Sequence, residues 1–248
     1  MIIALDFDGV LCDSAGEMAE SAWRTAANFW PVEFAGSPPK DFVEAFRALR
    51  PGLETGYESI LFARLLRDGV AVTAESAHAQ SQALLAELPW SRDELVTTFG
   101  ATRDAWISSD LESWLAAHRF YPGALEFLRS SQQVARVVVI TTKQTRFAQA
   151  LLEGALPPEA VFGLETGSKV GTLCDLRDSD PDIHFVEDRL DTLLGVTECS
   201  ELPAVRLYLV DWGYTTSAQR REAGQHPRIR VLTHDFKAFP LPDPPNSL

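Results

Sequence analysis

A change of texture along the chain constrains its fold most. Short apolar, β-branched runs occur at Ile2 to Leu5, and again at Val134–Thr141, Ala160–Phe162, Ile183–Val186, Val205–Val210 and Arg230–Leu232. Helical spacing fills the gaps between the later runs, at 144–154, at Lys169–Leu176 and from Leu190 onward. Short buried strands alternating with helices predict an α/β chain with a parallel sheet covered on both faces. Residues 14–118 interrupt this pattern. There Ala19, Ala22, Trp23, Ala26, Ala27 and Trp30 recur near i, i+3, i+4 and i+7, and similar stripes cover 41–49, 57–67, 75–88 and 103–117. Pro31, Pro38-Pro39, Pro51-Gly52 and Pro89 punctuate them. The expected organisation is a core made of 1–13 and 119–248, with an all-helical insert at 14–118 after the first strand. Residues 240–248 are rich in proline and read as a loose tail.

Charge and cysteine usage narrow the partners. The 248 residues carry 22 Lys+Arg against 35 Asp+Glu, a formal charge of −13. That balance repels nucleic-acid backbones and anionic lipid, and no Lys/Arg run reverses it locally. No apolar run approaches the roughly 18 residues that a membrane span needs. The opening residues lack a basic region and read as a strand rather than a leader. Cys12, Cys174 and Cys199 are widely spaced and form no CxxC pair, so a reducing, cytoplasmic setting is expected. The five histidines, His78, His118, His184, His226 and His234, show no metal-ligand spacing.

Four pieces place polar groups at the carboxyl ends of expected strands, the edge where open parallel sheets bind ligands. The first is Asp6-Phe7-Asp8-Gly9. Two carboxylates two residues apart share a side of an extended chain. Their repulsion raises one pKa, so one can be an ionised nucleophile and the other a protonated acid. The second is Thr141-Thr142-Lys143, where a hydroxyl, free amides and a positive charge can hold a phosphate. The third is Ser168-Lys169: Ser168 is placed to cap a helix, and a lysine in the first turn of that helix does not serve helix stability. The stretch Gly163 to Lys169 does not meet P-loop spacing. The fourth is Glu187-Asp188 with Asp191, oxygen ligands suited to a hard cation such as Mg²⁺.

In this order, these pieces resemble the four motifs of the haloacid dehalogenase superfamily of phosphohydrolases. Asp6-Phe7-Asp8-Gly9-Val10 looks like the first motif, Thr141 the second, Lys169 the third and Glu187-Asp188 the fourth. Tyr121-Pro122-Gly123, Thr141-Thr142-Lys143 and Trp212-Gly213-Tyr214 are similar to elements of its phosphoglycolate phosphatase-like group. The resemblance implies a Rossmann-like, doubly wound core with a helical cap inserted after the first motif. It implies that Asp6 attacks phosphorus and that Asp8 is the general acid and base. It also implies that Thr141, Thr142 and Lys169 hold the phosphoryl oxygens. Mg²⁺ would be bound by Asp6, by the Asp8 carbonyl and by the fourth motif. That motif departs from the usual pattern: Glu187 stands where Gly is common, and Asp191 follows Asp188 by three residues rather than four. The direct ligand therefore stays open among Glu187, Asp188 and Asp191, with Asp188 first.

The implied function is a Mg²⁺-dependent phosphatase of a small phosphate monoester, phosphoglycolate-like or a sugar phosphate, whose cap opens to admit substrate and closes to exclude water. The alternatives are a phosphomutase of the same superfamily and a non-catalytic binding protein on the same fold. Met18 stands where the mutase pattern carries His. A dehalogenase needs neither Asp8 nor the acidic fourth motif. A phosphonatase needs a cap lysine, and Lys40, in a Pro-Pro-Lys loop, reads as solvated. Trp23, Phe29 and Trp30 are expected in helix packing. Arg24, Arg64 and Lys143 are candidate substrate contacts. The oligomeric state is open.

Overall fold

A computed structural model describes residues 1–53 and 55–241. The chain divides into two compact units, Met1–Asp13 with Phe120–Leu248, and Ser14–Arg119.

The first unit is built on six strands, numbered here along the chain: β1 Ile2–Leu5, β2 Arg136–Ile140, β3 Val161–Phe162, β4 Ile183–Glu187, β5 Arg206–Val210 and β6 Ile229–Leu232. They lie in the order β3-β2-β1-β4-β5-β6, and every neighbouring pair is parallel. The chain winds outward from β1 through β2 to β3, then returns past β1 and winds the other way through β4. Such a reversal opens a crevice at the carboxyl ends of the strands flanking it. Leu5, the last residue of β1, pairs with Val139 on one side and Val186 on the other.

Alternation with period two explains why both sheet faces are covered. Ile3, Leu5, Val137, Val139 and Val186 face one way and pack with Ala124, Phe127 and Leu128 of helix Ala124–Ser131. Ile2, Ala4, Val138, Ile140 and Phe185 face the other. They meet Leu173 and Leu176 of helix Lys169–Ser179 and Leu193 and Val196 of helix Leu190–Glu198. The sheet is thus parallel and covered on both faces, as its strand pattern predicts, and the core is doubly wound, as the resemblance implies. Each expected strand is present, trimmed or extended by a residue or two at its ends.

The second unit is helical, with helices at Ala15–Phe29, Lys40–Leu49, Glu58–Arg67, Ala74–Glu87, Arg92–Ser109 and Leu111–Ala116. Its core is aromatic: Trp23 packs edge-on against Phe34 and Phe42, each with ring centroids 4.8 Å away. Phe29 and Trp30 close on Trp90 at 4.8 and 5.1 Å. Glu17, wholly buried, accepts two hydrogen bonds from Arg103 at 2.8 and 2.9 Å, one from Trp114 Nε1 and one from Ser21 Oγ.

Two expectations for this unit are corrected. The stripe at 103–117 is not one helix. Asp110 breaks it, accepting the Ser113 amide at 3.0 Å as the N-cap of the next helix. The helix before the break starts at Arg92, because Ser91 and Glu94 form a reciprocal capping box. Lys40 is exposed but opens a helix instead of lying in a loop. Of the expected tail, 242–248 lies outside the described residues, while Leu241 packs against the apolar cluster of the first unit.

Candidate active site

The site grows from the end of β1. The Asp6 amide still donates to Val186 O on β4 at 2.9 Å, so Asp6 continues the strand and sits buried between its neighbours. The chain then turns sharply. The amides of Leu11 and Cys12 both donate to Phe7 O, and the Gly9 amide donates to Cys12 O at 2.8 Å. Gly9 has φ of +87°, and a Cβ there would stand 1.9 Å from Asp188 Oδ2. A Cβ on Gly213 would stand 2.4 Å from Gly9 O and 2.5 Å from Asp188 Cβ. These two glycines let the segments following β1, β4 and β5 close on one another. The segment after β5 is tied in further: the Tyr214 amide donates to Asp188 Oδ2 at 2.7 Å, and Trp212 Nε1 donates to Val10 O at 3.1 Å.

Lys169 is the centre of charge. It is the first residue of its helix, and Ser168 accepts the Gly171 amide at 3.0 Å as the N-cap. Its Nζ lies 2.8 Å from Asp6 Oδ1 and 2.6 Å from Glu187 Oε2. Glu187 is itself fixed, its Oε1 accepting the amides of Asp188 and Arg189 at 3.1 and 3.2 Å. Nearby, Lys143 Nζ lies 3.4 Å from Asp8 Oδ1. The Lys143 amide donates to Thr141 Oγ1 at 3.1 Å, and Thr141 is buried at the end of β2.

Burial dominates the electrostatics. It pushes the Asp6 carboxyl up to about 7, reinforced by the Glu187 charge and opposed by Lys169. It raises Glu187 as well, against the pull of Lys169. Burial disfavours the Lys169 ammonium too, but the adjoining Asp6 and Glu187 carboxylates outweigh it and hold the lysine above its ordinary pKa.

Carboxylate oxygens of Asp6, Glu187 and Asp188, all buried, lie within 4.8 Å of one another. This donor set is all oxygen; among these acids Asp6 and Glu187 contact Lys169, and Asp8 contacts Lys143. A hard divalent cation fits such a set of clustered carboxylate oxygens. Asp191 does not join them: its side chain is 74% exposed and lies 4.0 Å from Arg189. Thr142 is exposed as well. The candidate contacts Arg24 and Arg64 are engaged within the helical unit, Arg24 with Glu20 and over the Trp106 ring, Arg64 with Asp68. The sequence marks Gly213 only through the resemblance of Trp212-Gly213-Tyr214; the close backbone approach it permits is seen only in the structure. Among the described residues no helix is long and apolar enough to cross a membrane.

No protein-family model matches the chain, and no curated protein matches it. Solved structures do. A haloacid dehalogenase-like family hydrolase from Streptococcus pneumoniae aligns with a TM-score of 0.56 at 16% identity, over 94% of this chain and 93% of that one. A predicted phosphatase from Clostridium acetobutylicum aligns with a TM-score of 0.57 at 16% identity, over 93% and 92%. A predicted phosphoglycolate phosphatase from Haemophilus somnus aligns at 0.55 and 17% identity, over 87% of each chain. The chain therefore has the fold of the haloacid dehalogenase-like hydrolases.

Proposed function

We propose that this protein is a phosphatase that hydrolyses a small phosphate monoester through an aspartyl-phosphate on Asp6. The observation that carries the reading is the convergence at the switch point of the sheet. There Asp6 and Asp8 follow β1, Thr141 ends β2, and Lys169 bridges Asp6 to Glu187 at the end of β4.

In this reading Asp6 is the nucleophile: a carboxylate oxygen bonds to phosphorus as the ester oxygen leaves. Asp8, two residues on, donates a proton to that leaving oxygen and later takes one from the attacking water. Lys169 and the Thr141 hydroxyl hold the transferring phosphoryl oxygens, with Thr142 at the rim. Such chemistry needs positioning and charge neutralisation above all. Asp6, Asp188 and the Asp8 carbonyl would hold Mg²⁺. Glu187 adds negative charge to the cluster while both its oxygens serve Lys169 and the Asp188 and Arg189 amides. When bound, the cation supplies positive charge that offsets the repulsion between a carboxylate nucleophile and an anionic ester. The helical unit Ser14–Arg119 acts as the cap that selects substrate. A phosphoglycolate-like ester or a sugar phosphate suits the reading, and the Haemophilus somnus relative is named for the first of these.

The test is phosphate release from p-nitrophenyl phosphate, phosphoglycolate and hexose phosphates, with and without Mg²⁺, by wild type and Asp6→Asn. Mg²⁺-dependent release that vanishes in Asp6→Asn is expected. Release that survives Asp6→Asn removes the covalent mechanism, and silence of the folded wild type on every ester removes the phosphatase reading.

A further inference from the structure

On the sheet face that carries helices Lys169–Ser179 and Leu190–Glu198, two thiols confront each other. Cys174, in the first helix, and Cys199, the C-cap of the second, have sulfurs 4.0 Å apart. Both are half-buried at the edge of the same apolar cluster, in which Leu173 and Leu176 pack with Leu193 and Val196. The third cysteine, Cys12, is wholly buried in the cluster on the opposite sheet face, so it does not compete for either partner.

We propose that Cys174 and Cys199 form a redox-active dithiol that closes to a disulfide under oxidation and staples the two helices together. A disulfide needs its sulfurs about 2 Å closer than they stand in the reduced pair. Cys199 caps its helix at the start of a turn, its carbonyl accepting the Leu202 amide at 3.1 Å.

Glu201 also lies close enough to share a metal with the two sulfurs. Its carboxylate, however, is held by Arg177 Nη1 at 3.2 Å, and Arg177 donates to the Glu201 carbonyl at 2.9 Å as well. A divalent cation there would sit against a guanidinium, and three ligands fall short of the four of a structural zinc site. The dithiol reading accounts for the pair without that conflict.

With hydrogen peroxide as oxidant the step balances. One thiol loses its proton; its thiolate attacks a peroxide oxygen, an S–O bond forms, the O–O bond breaks and water leaves. The second sulfur then displaces the sulfenic hydroxyl, which departs as a second water, and the S–S bond forms. The sulfur pair gives up two electrons and the peroxide accepts them. Burial, the hydrogen bond with Cys199 and the Glu201 charge raise the Cys174 thiol above its ordinary pKa against the pull of Arg177, so closure quickens as pH rises.

The full-length protein is treated with hydrogen peroxide, or with oxidised glutathione, then analysed by intact mass and by peptide mapping without reductant. The expected result is loss of two hydrogens, a peptide joining Cys174 to Cys199, and reversal by dithiothreitol. Cys12→Ser retains the cross-link, and Cys174→Ser and Cys199→Ser each lose it. The wild-type map decides the matter even where a variant folds poorly. Separate glutathione or sulfinic adducts without a cross-link overturn the proposal, and so does a bond to Cys12 or to a second chain. Tight binding of one Zn²⁺ by the reduced protein, protecting both thiols from peroxide, overturns it in favour of a metal site.

Discussion

Glu187 Oε2 lies 2.6 Å from Lys169 Nζ, the ammonium that also meets Asp6 Oδ1 at 2.8 Å. One buried cation thereby joins the ends of β1 and β4, and its position is set by Glu187, which the two following amides hold in turn. Truncating one member of a buried ion pair leaves the other uncompensated, at a cost of about 3 kcal/mol. Glu187→Ala is expected to lose stability on that order in urea melts, and Glu187→Gln, which keeps an acceptor for Lys169, to lose less. Under the proposed function, turnover is expected to fall in the same order. Equal losses for both variants would mean that the charge, not the geometry, of Glu187 matters.

The proposed cation binding can be tested apart from catalysis. Asp6 and Asp188 are close-packed acids whose mutual repulsion a divalent ion would relieve. Mg²⁺ at about a hundred times its dissociation constant stabilises a single-site protein by roughly 2.7 kcal/mol. Thermal melts of the wild type are expected to shift upward with Mg²⁺, and those of Asp188→Asn to shift little. Neither measurement depends on knowing the substrate.

Gly9 and Gly123 share a left-handed backbone but not its surroundings. Gly9 has φ of +87° and Gly123 of +80°, yet a Cβ meets Asp188 Oδ2 at 1.9 Å in the first case and nothing within 4 Å in the second. Gly123→Ala is expected to cost only the backbone term, about 1–2 kcal/mol. Gly9→Ala adds the displacement of Asp188 and is expected to abolish both the Mg²⁺-induced shift in Tm and activity. A Gly9→Ala protein that still responds to Mg²⁺ would show that the Asp188 carboxylate can move without loss.

His184 supplies a pH dependence remote from the reacting groups. It is buried on β4, with Nδ1 2.9 Å from Tyr208 Oη and Nε2 2.6 Å from Arg206 Nη1, which donates to it. Burial and the Arg206 charge hold it below its ordinary value of 6.5. The unfolded chain therefore binds a proton near pH 6.5 that the folded chain refuses until lower pH. Stability from this group is complete above the unfolded pKa and is lost as pH falls through the folded one. His184→Gln is expected to flatten the fall in Tm between pH 7 and pH 5. An unchanged slope would place the acid sensitivity elsewhere.

The fold was legible because continuous apolar runs and helical stripes report burial directly. The four candidate pieces were legible because polar residues at strand ends stand out against such runs. Asp6, Lys169 and the acids Glu187, Asp188 and Asp191 stood out by chemical type and place, while the preference for Asp188 among the three came from the resemblance. The break at Asp110 was missed because the apolar stripe continues across it, and only the capping hydrogen bond shows where the helix stops.

Residue types and spacing alone determined that strands and helices alternate, that a helical block interrupts them, and which acids and lysines end the strands. Tertiary structure decided which of these meet. Asp191 and Glu187 look equivalent as neighbours of Asp188, yet one is exposed beside Arg189 and the other is buried against Lys169. Cys174 and Cys199 look unrelated, yet helix packing brings their sulfurs within 4.0 Å. Local pattern records the period of burial, but the strand order that folds distant segments onto one edge is a property of the whole chain. Pairing of charges and thiols follows from that order.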